Sequence, residues 1–143
     1  MSTAWRWTLD PVPTLEMTLR CELDGLNKLL RPYGKLPAAR ARAIATKKAK
    51  RFLTGRVLEA TQGFKLQMEP GGARVSIKSY RWALLDHDNL VGGGKHLLDV
   101  LVARGFLRDD SPRWIGRPEY EQEIDRADRR TVVRIEYLES EVA

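Results

Sequence analysis

One cysteine is all the thiol this chain carries, which excludes a disulfide framework within it. Cys21 falls in a strand-like stretch, reads as plain core, and points to a reducing, cytoplasmic setting. No apolar run approaches the roughly 20 residues of a membrane span. Met1 to Asp10 carries Trp5, Arg6 and Trp7 but not the long apolar core of a signal peptide, so neither a leader nor a membrane partner is expected. The only histidines, His87 and His96, are candidates for metal ligand or general base as isolated residues. Internal repeats, linkers and low-complexity tracts are missing too, and 143 residues fit a single domain, 1–143.

Acidic residues are in deficit. Against 19 Asp and Glu stand 25 Lys and Arg, a formal charge of +6, which favours polyanion partners because neutralised phosphates release counterions. With 43% hydrophobic and 31% charged residues, the remainder reads as an ordinary globular protein.

Trp5 to Leu9 alternates and is broken by Asp10-Pro11-Val12-Pro13, which suggests a short edge strand. Leu15, Met17, Leu19, Cys21 and Leu23 then alternate with Glu16, Thr18, Arg20 and Glu22, the period of a strand with one buried face. Asn27 to Lys35 is loop-like and basic. From about Leu36 to Ala60 the period becomes helical, with Ala41, Ile44, Ala45, Ala49, Phe52, Leu53, Val57 and Ala60 on one stripe. The rest of that helix carries Arg40, Arg42, Lys47, Lys48, Lys50, Arg51 and Arg56 against the lone Glu59. Solvated helices more often mix signs, so a phosphate-tracking surface is expected here, with a plain solvated face as the alternative.

Phe64 to Met68 and Val75 to Ile77 alternate around Glu69-Pro70-Gly71-Gly72, which predicts a β-hairpin running on to Trp82. Tyr80 and Trp82 share the parity of Arg74, Ser76 and Lys78. Such a face stacks unpaired bases or packs beneath the first helix, and packing is the expectation. A short helix from about Lys95 to Arg104 follows, stopped by Gly105. Trp114-Ile115 begins an extended segment, and residues 119–124 and 132–137 form a closing antiparallel hairpin. The order β(β)–α–ββ–α–ββ describes an α+β domain with a mainly antiparallel or mixed sheet and two helices.

The local exception to the basic character is Asp86-His87-Asp88-Asn89-Leu90, followed by Gly92-Gly93-Gly94-Lys95 and, beyond the short helix, Asp109-Asp110. If residues 86–88 are extended, Asp86 and Asp88 point the same way and can share a hard cation. A ten-residue helix spans roughly 15 Å, so folding back would bring Asp109 or Asp110 near them. The alternative is that these acids are turn residues. A Walker loop is excluded, since it needs Gly at 89 and Ser or Thr at 96, where this chain has Asn89 and His96. The glycines instead read as a close turn into the helix. Lys95 then forms a surface pair with Asp99 one turn on, or points at a scissile phosphate.

Asp86-His87-Asp88-Asn89-Leu90, Lys95, Asp99, Gly105 and Asp109-Asp110 together resemble the RusA family of Holliday junction resolvases, small homodimeric Mg²⁺-dependent endonucleases. That family's signature is D-x-D-N-L, a lysine, an aspartate four further on, and a D-D pair after a glycine. The resemblance implies that Asp86, Asp88 and Asp110 bind Mg²⁺ (Mn²⁺ as a substitute) and that Lys95 is catalytic. Lys95 lies seven residues after Asp88 where the shorter family pattern has four, so its direction depends on how the glycines fold. The implied function is resolution of branched DNA by a homodimer, with Asn27, Lys28, Arg40, Arg42, Lys47, Lys48 and Arg51 on the DNA. Two rivals are a nuclease of the same fold acting on flaps or forks, and a non-catalytic DNA-binding module.

Overall fold

A computed structural model describes residues 4–138. Five strands form one mixed sheet: β1 Trp5–Thr8, β2 Thr14–Leu19, β3 Ala73–Arg81, β4 Glu119–Ile124 and β5 Arg130–Tyr137. Their order across the sheet is β1-β2-β5-β3-β4, antiparallel except for the β3–β4 pair. Two long helices, α2 Ala38–Thr61 and α3 His87–Ala103, and two short ones, α1 Leu26–Leu30 and α4 Pro112–Ile115, complete the α+β domain. Among the described residues no helix is long and apolar enough to cross a membrane.

The alternating strands place their apolar sets on one face. Leu15, Met17 and Leu19 of β2, Val75 and Ile77 of β3, and Val133 and Ile135 of β5 are buried there. They meet Leu53 and Val57 of α2 and Leu90, Leu97 and Leu101 of α3 in one core cluster. Fully burying each such side chain is worth about 1.5–3 kcal/mol. The opposite sheet face carries Glu16, Arg74, Lys78, Glu121, Glu123 and Arg134, partly joined by ion pairs.

Several expectations are corrected. Residues 64–68 form no strand, because both edges of β3 are already taken by β5 and β4. Phe64 instead stacks on Trp5 with ring centroids 4.5 Å apart. The closing strands do not pair with each other: β3 lies between them, and β4 runs parallel to it after the α3 crossover. Trp114-Ile115 closes a helical turn begun by Pro112 at its first position rather than starting a strand. Tyr80 and Trp82 do not pack under α2, since their parity sends them away from the helix-covered face. Asn27 to Lys35, read as loop, holds most of α1 and a 3-10 turn at Arg31–Tyr33.

The largest correction concerns α3. It begins at His87 and spans 17 residues, so the glycine run lies inside the helix and not in a turn before it. Glycine in a helix interior costs about 1 kcal/mol relative to alanine. Here the missing side chains permit close approach. A Cβ on Gly93 would stand 2.0 Å from the Asp24 carbonyl oxygen, and one on Gly94 would stand 2.3 Å from the Tyr120 ring.

Candidate functional site

Asp86 is the N-cap of α3. Its backbone is extended (φ −65°, ψ 158°), and its Oδ1 accepts from the Asn89 N–H at 2.9 Å. Asn89 also donates from Nδ2 to Asp86 Oδ2 at 3.1 Å, and its Oδ1 accepts from the Asn27 N–H at 3.1 Å. One side chain thus ties the start of α1 to the start of α3. Asp88 lies in the first turn of α3, exposed, where the free N–H groups and the helix dipole favour an anion. Asp86 and Asp88 are therefore not neighbours on an extended strand, and each serves the helix terminus as it stands.

Two side chains the sequence reading missed set this corner. Gln122 holds Leu85 from both sides, accepting its N–H at 2.9 Å and donating to its carbonyl at 2.7 Å. Arg81, only 3% exposed, donates to the carbonyls of Leu23 and Ala83 and to Ser79 Oγ. Burial lowers the pKa of its guanidinium, with Glu22 and Asp24 opposing. The signal for Arg81 was a lone arginine at core parity in β3, alongside Ser79.

Asp88, Lys95 and Asp99 stand seven and eleven residues apart and share one stripe of α3. Lys95 is exposed and makes no ion pair among the described residues, so of its two alternatives the surface pair with Asp99 does not form. Asp99 pairs instead with Lys50 of α2, at 3.1 Å. Asp110 comes back to the same part of α3, where the carboxyl of Asp99 is near enough to act on its own. Burial first, then Asp99, raise the pKa of Asp110 above its usual value.

Eleven helical residues separate Asp88 from Asp99, about 16 Å of axis at 1.5 Å per residue. The helix read as ten residues is 17, so Asp110 is carried to its far part and does not fold back to Asp86 and Asp88. Among the described residues no three of His, Cys, Asp and Glu stand close enough to hold one metal ion. Asp86, Asp88 and Asp110 are thus not gathered around a common point; the carboxylate that acts on Asp110 is that of Asp99.

Beside Asp99 lies His96, 9% exposed, between α2 and α3. Its Nε2 lies 3.3 Å from Thr46 Oγ1, while Nδ1 has no hydrogen-bond partner among the described residues. Burial lowers its pKa, so the ring is held neutral. His87 is exposed at the helix start. Cys21 is half-buried, and burial pushes its thiol up to about 11, which leaves it unreactive.

The cations of α2 divide by direction. Arg40, Lys47 and Arg51, at i, i+7 and i+11, form an exposed ridge opposite the buried Ala45, Ala49 and Leu53. Arg42 and Lys48 are also exposed, Lys48 with its Nζ 5.8 Å from the Tyr33 ring centroid. Arg56 is tied to Glu59 at 3.1 Å. In the preceding segment Lys28 pairs with Asp24 at 3.0 Å, and the Asn27 side chain is exposed. A scan against protein-family models finds no match for the chain, and a search of curated proteins finds none.

Proposed function

We propose that this chain is a divalent-metal-dependent endonuclease acting on Holliday junctions or related branched DNA. The observation that carries the reading is the placement of Asp99, paired with Lys50 of α2 at 3.1 Å, near Asp110 and one turn from the exposed Lys95, beside a cationic helix. Two neighbouring carboxylates fit a hard cation, which is commonly held by one or two carboxylates with waters and a substrate phosphate. When bound there, Mg²⁺, or Mn²⁺ in its place, supplies an activated water and charge stabilisation at the leaving oxygen. Asp86 and Asp88 do not fit as ligands of that same ion within one chain, being about 20 and 16 Å from Asp99 along α3.

The chain's own residues support the rest of the reading. Lys95 stands one turn from Asp99, with its ammonium open to a phosphate on which charge develops. The Arg40–Lys47–Arg51 ridge, with Arg42 and Lys48 beside it, suits the DNA backbone, where contacts position the substrate without reading its sequence. A homodimer would present two such sites and place paired nicks on opposing strands. Against catalysis stands one specific observation: both carboxylate oxygens of Asp86 are engaged in capping α3. That favours the second reading, a DNA-binding module without turnover.

Cleavage of a four-way junction, a flap and plain duplex, with Mg²⁺ or chelator, separates them. Asp99→Asn and Asp110→Asn are expected to abolish cutting, and Asp88→Asn to weaken it less. Junction binding without cutting under any divalent ion leaves only the binding module. Equal cutting of plain duplex removes the branched-DNA assignment.

A further inference from the structure

Beyond β3 the chain turns Trp82 out to solvent, 53% exposed. Its backbone is pinned on both sides: the N–H donates to Glu22 Oε2 at 2.8 Å, and the carbonyl accepts from Arg126 Nε at 3.1 Å. The guanidinium carbons of Arg126 and Arg129 lie 4.9 and 5.9 Å from the ring centroid. A large apolar ring left in water on a fixed backbone, with two arginines against it, is built for something other than the core.

Trp82 adjoins a groove of about 570 Å³ lined by Arg126, Arg129 and, from α2, Phe52. Phe52 is 49% exposed although it lies on the apolar flank of its helix, and Arg56 sits 5.1 Å from its ring centroid. A second cavity of about 360 Å³ shares Phe52, Lys28, Glu22 and Asp24 with the first and continues to Tyr33 and Lys48. Phe52 lines both cavities, with Arg56 against its ring, so the two adjoin as one channel: Tyr33 and Lys48 lie along the second, and Arg126, which covers the Trp82 ring at the channel's edge, along the first.

The charges in the channel are unequal in availability. Asp24 is taken by Lys28 at 3.0 Å, and Asp128 by Arg20 and Arg130, each at 3.3 Å. At the Trp82 end Arg126 and Arg129 have no carboxylate partner among the described residues, and against them stands only Glu22, whose Oε2 accepts from the Trp82 N–H, so the balance there is positive. Duplex bases have their π faces covered by neighbours and cannot use an aromatic shelf. Unpaired bases can, and arginines beside the shelf meet their phosphates. The location agrees, because Asp24 and Lys28 flank the Asn27–Asn89 link that sets the start of α3.

We propose that this channel binds an unpaired DNA strand, with bases stacked on Trp82 and Phe52 and phosphates on Arg126 and Arg129. The proposal rests on the nucleic-acid part of the function above and adds its substrate feature: a branch point with unpaired nucleotides rather than fully paired arms.

Fluorescence anisotropy in chelator, with labelled oligo(dT) and blunt duplex of equal length, tests it without any cleavage. Trp82→Ala is expected to weaken oligo(dT) binding roughly tenfold or more, the range for loss of one stacked base, and duplex binding by less than about twofold. Trp82→Phe should retain most of the affinity. If Trp82→Ala fails to fold, Arg126→Ala with Arg129→Ala carries the test and should weaken oligo(dT) binding preferentially. Unchanged oligo(dT) affinity in these variants, with duplex binding intact, overturns the channel and leaves the DNA-binding reading standing. Wild-type protein that binds neither probe overturns both. Unchanged oligo(dT) affinity together with a Trp82→Ala shift in sedimentation assigns the channel to self-association and overturns the proposal.

Discussion

Both carboxylate oxygens of Asp86 are held by one residue, Asn89: Oδ1 by its backbone N–H at 2.9 Å and Oδ2 by its side-chain amide at 3.1 Å. An acid that looks like a metal ligand in the sequence is thereby also the residue that starts α3. The two roles separate by substitution. Asp86→Ala loses the cap and should cost about 1 kcal/mol in urea unfolding. Asp86→Asn, with asparagine an equally good cap, should unfold within about 0.5 kcal/mol of wild type. A loss of junction cleavage in Asp86→Asn at unchanged stability would show that the charge serves more than the helix.

The glycine run should rank by what each Cβ meets. Gly93→Ala drives a methyl to 2.0 Å from the Asp24 carbonyl oxygen, a backbone atom that cannot swing aside, and should destabilise by about 3 kcal/mol or more. Gly94→Ala meets the Tyr120 ring at 2.3 Å and should cost about 1–3 kcal/mol. Gly92→Ala meets Leu26 Cβ at 3.2 Å, a contact that a small shift relieves, and the helix gains about 1 kcal/mol of propensity, so its net effect should be near zero. Thermal unfolding of the three single variants checks the order.

Stability should fall on the acid side through His96. Burial depresses its folded pKa below the ordinary 6.5, with Lys50 and Lys95 adding to the effect and Asp99 opposing it. The stabilisation is present above the unfolded value and is lost as pH falls through the folded one, because the unfolded chain then binds a proton the folded site refuses. His96→Leu removes the titrating ring and the unpartnered Nδ1 together. Its Tm should therefore change less between pH 7 and pH 5 than that of wild type.

On the outer ridge of α2, replacing Arg40, Lys47 and Arg51 with alanine should weaken DNA binding across sequences. The slope of log K against log salt should become shallower by about 0.9 for each phosphate contact removed on duplex DNA. Lys28→Ala should move the slope less, since Asp24 already engages that ammonium at 3.0 Å. Equal slopes for the ridge variant and wild type would place the DNA elsewhere.

Much of the fold was legible because it is local. The alternation of Leu15, Met17 and Leu19 and of Val133, Ile135 and Tyr137 marks the buried side of each strand wherever the strand goes, and the Ala45–Ala49–Leu53 stripe does so for α2. The compound run from Asp86 to Asp110 was equally legible as a chemical pattern. The partner of Asp110 was not. Asp99 shares a stripe with Asp88, but which of the two meets Asp110 depends on helix length, and helix length turned on three glycines.

What the sequence determined by itself is therefore the type and inward face of most elements, the cationic excess, and the residues available for chemistry. Strand neighbours, the helical state of Gly92–Gly94, and the separation of Asp86 and Asp88 from Asp110 were decided only by tertiary structure. The physical reason is the same in each case. Local preference for glycine is a turn, worth about 1 kcal/mol per residue, and it was overridden where α3 comes close enough to Asp24 and Tyr120 that only hydrogen fits. Likewise nothing local to β4 and β5 records that β3 lies between them, because that pairing is set by how α3 crosses the sheet.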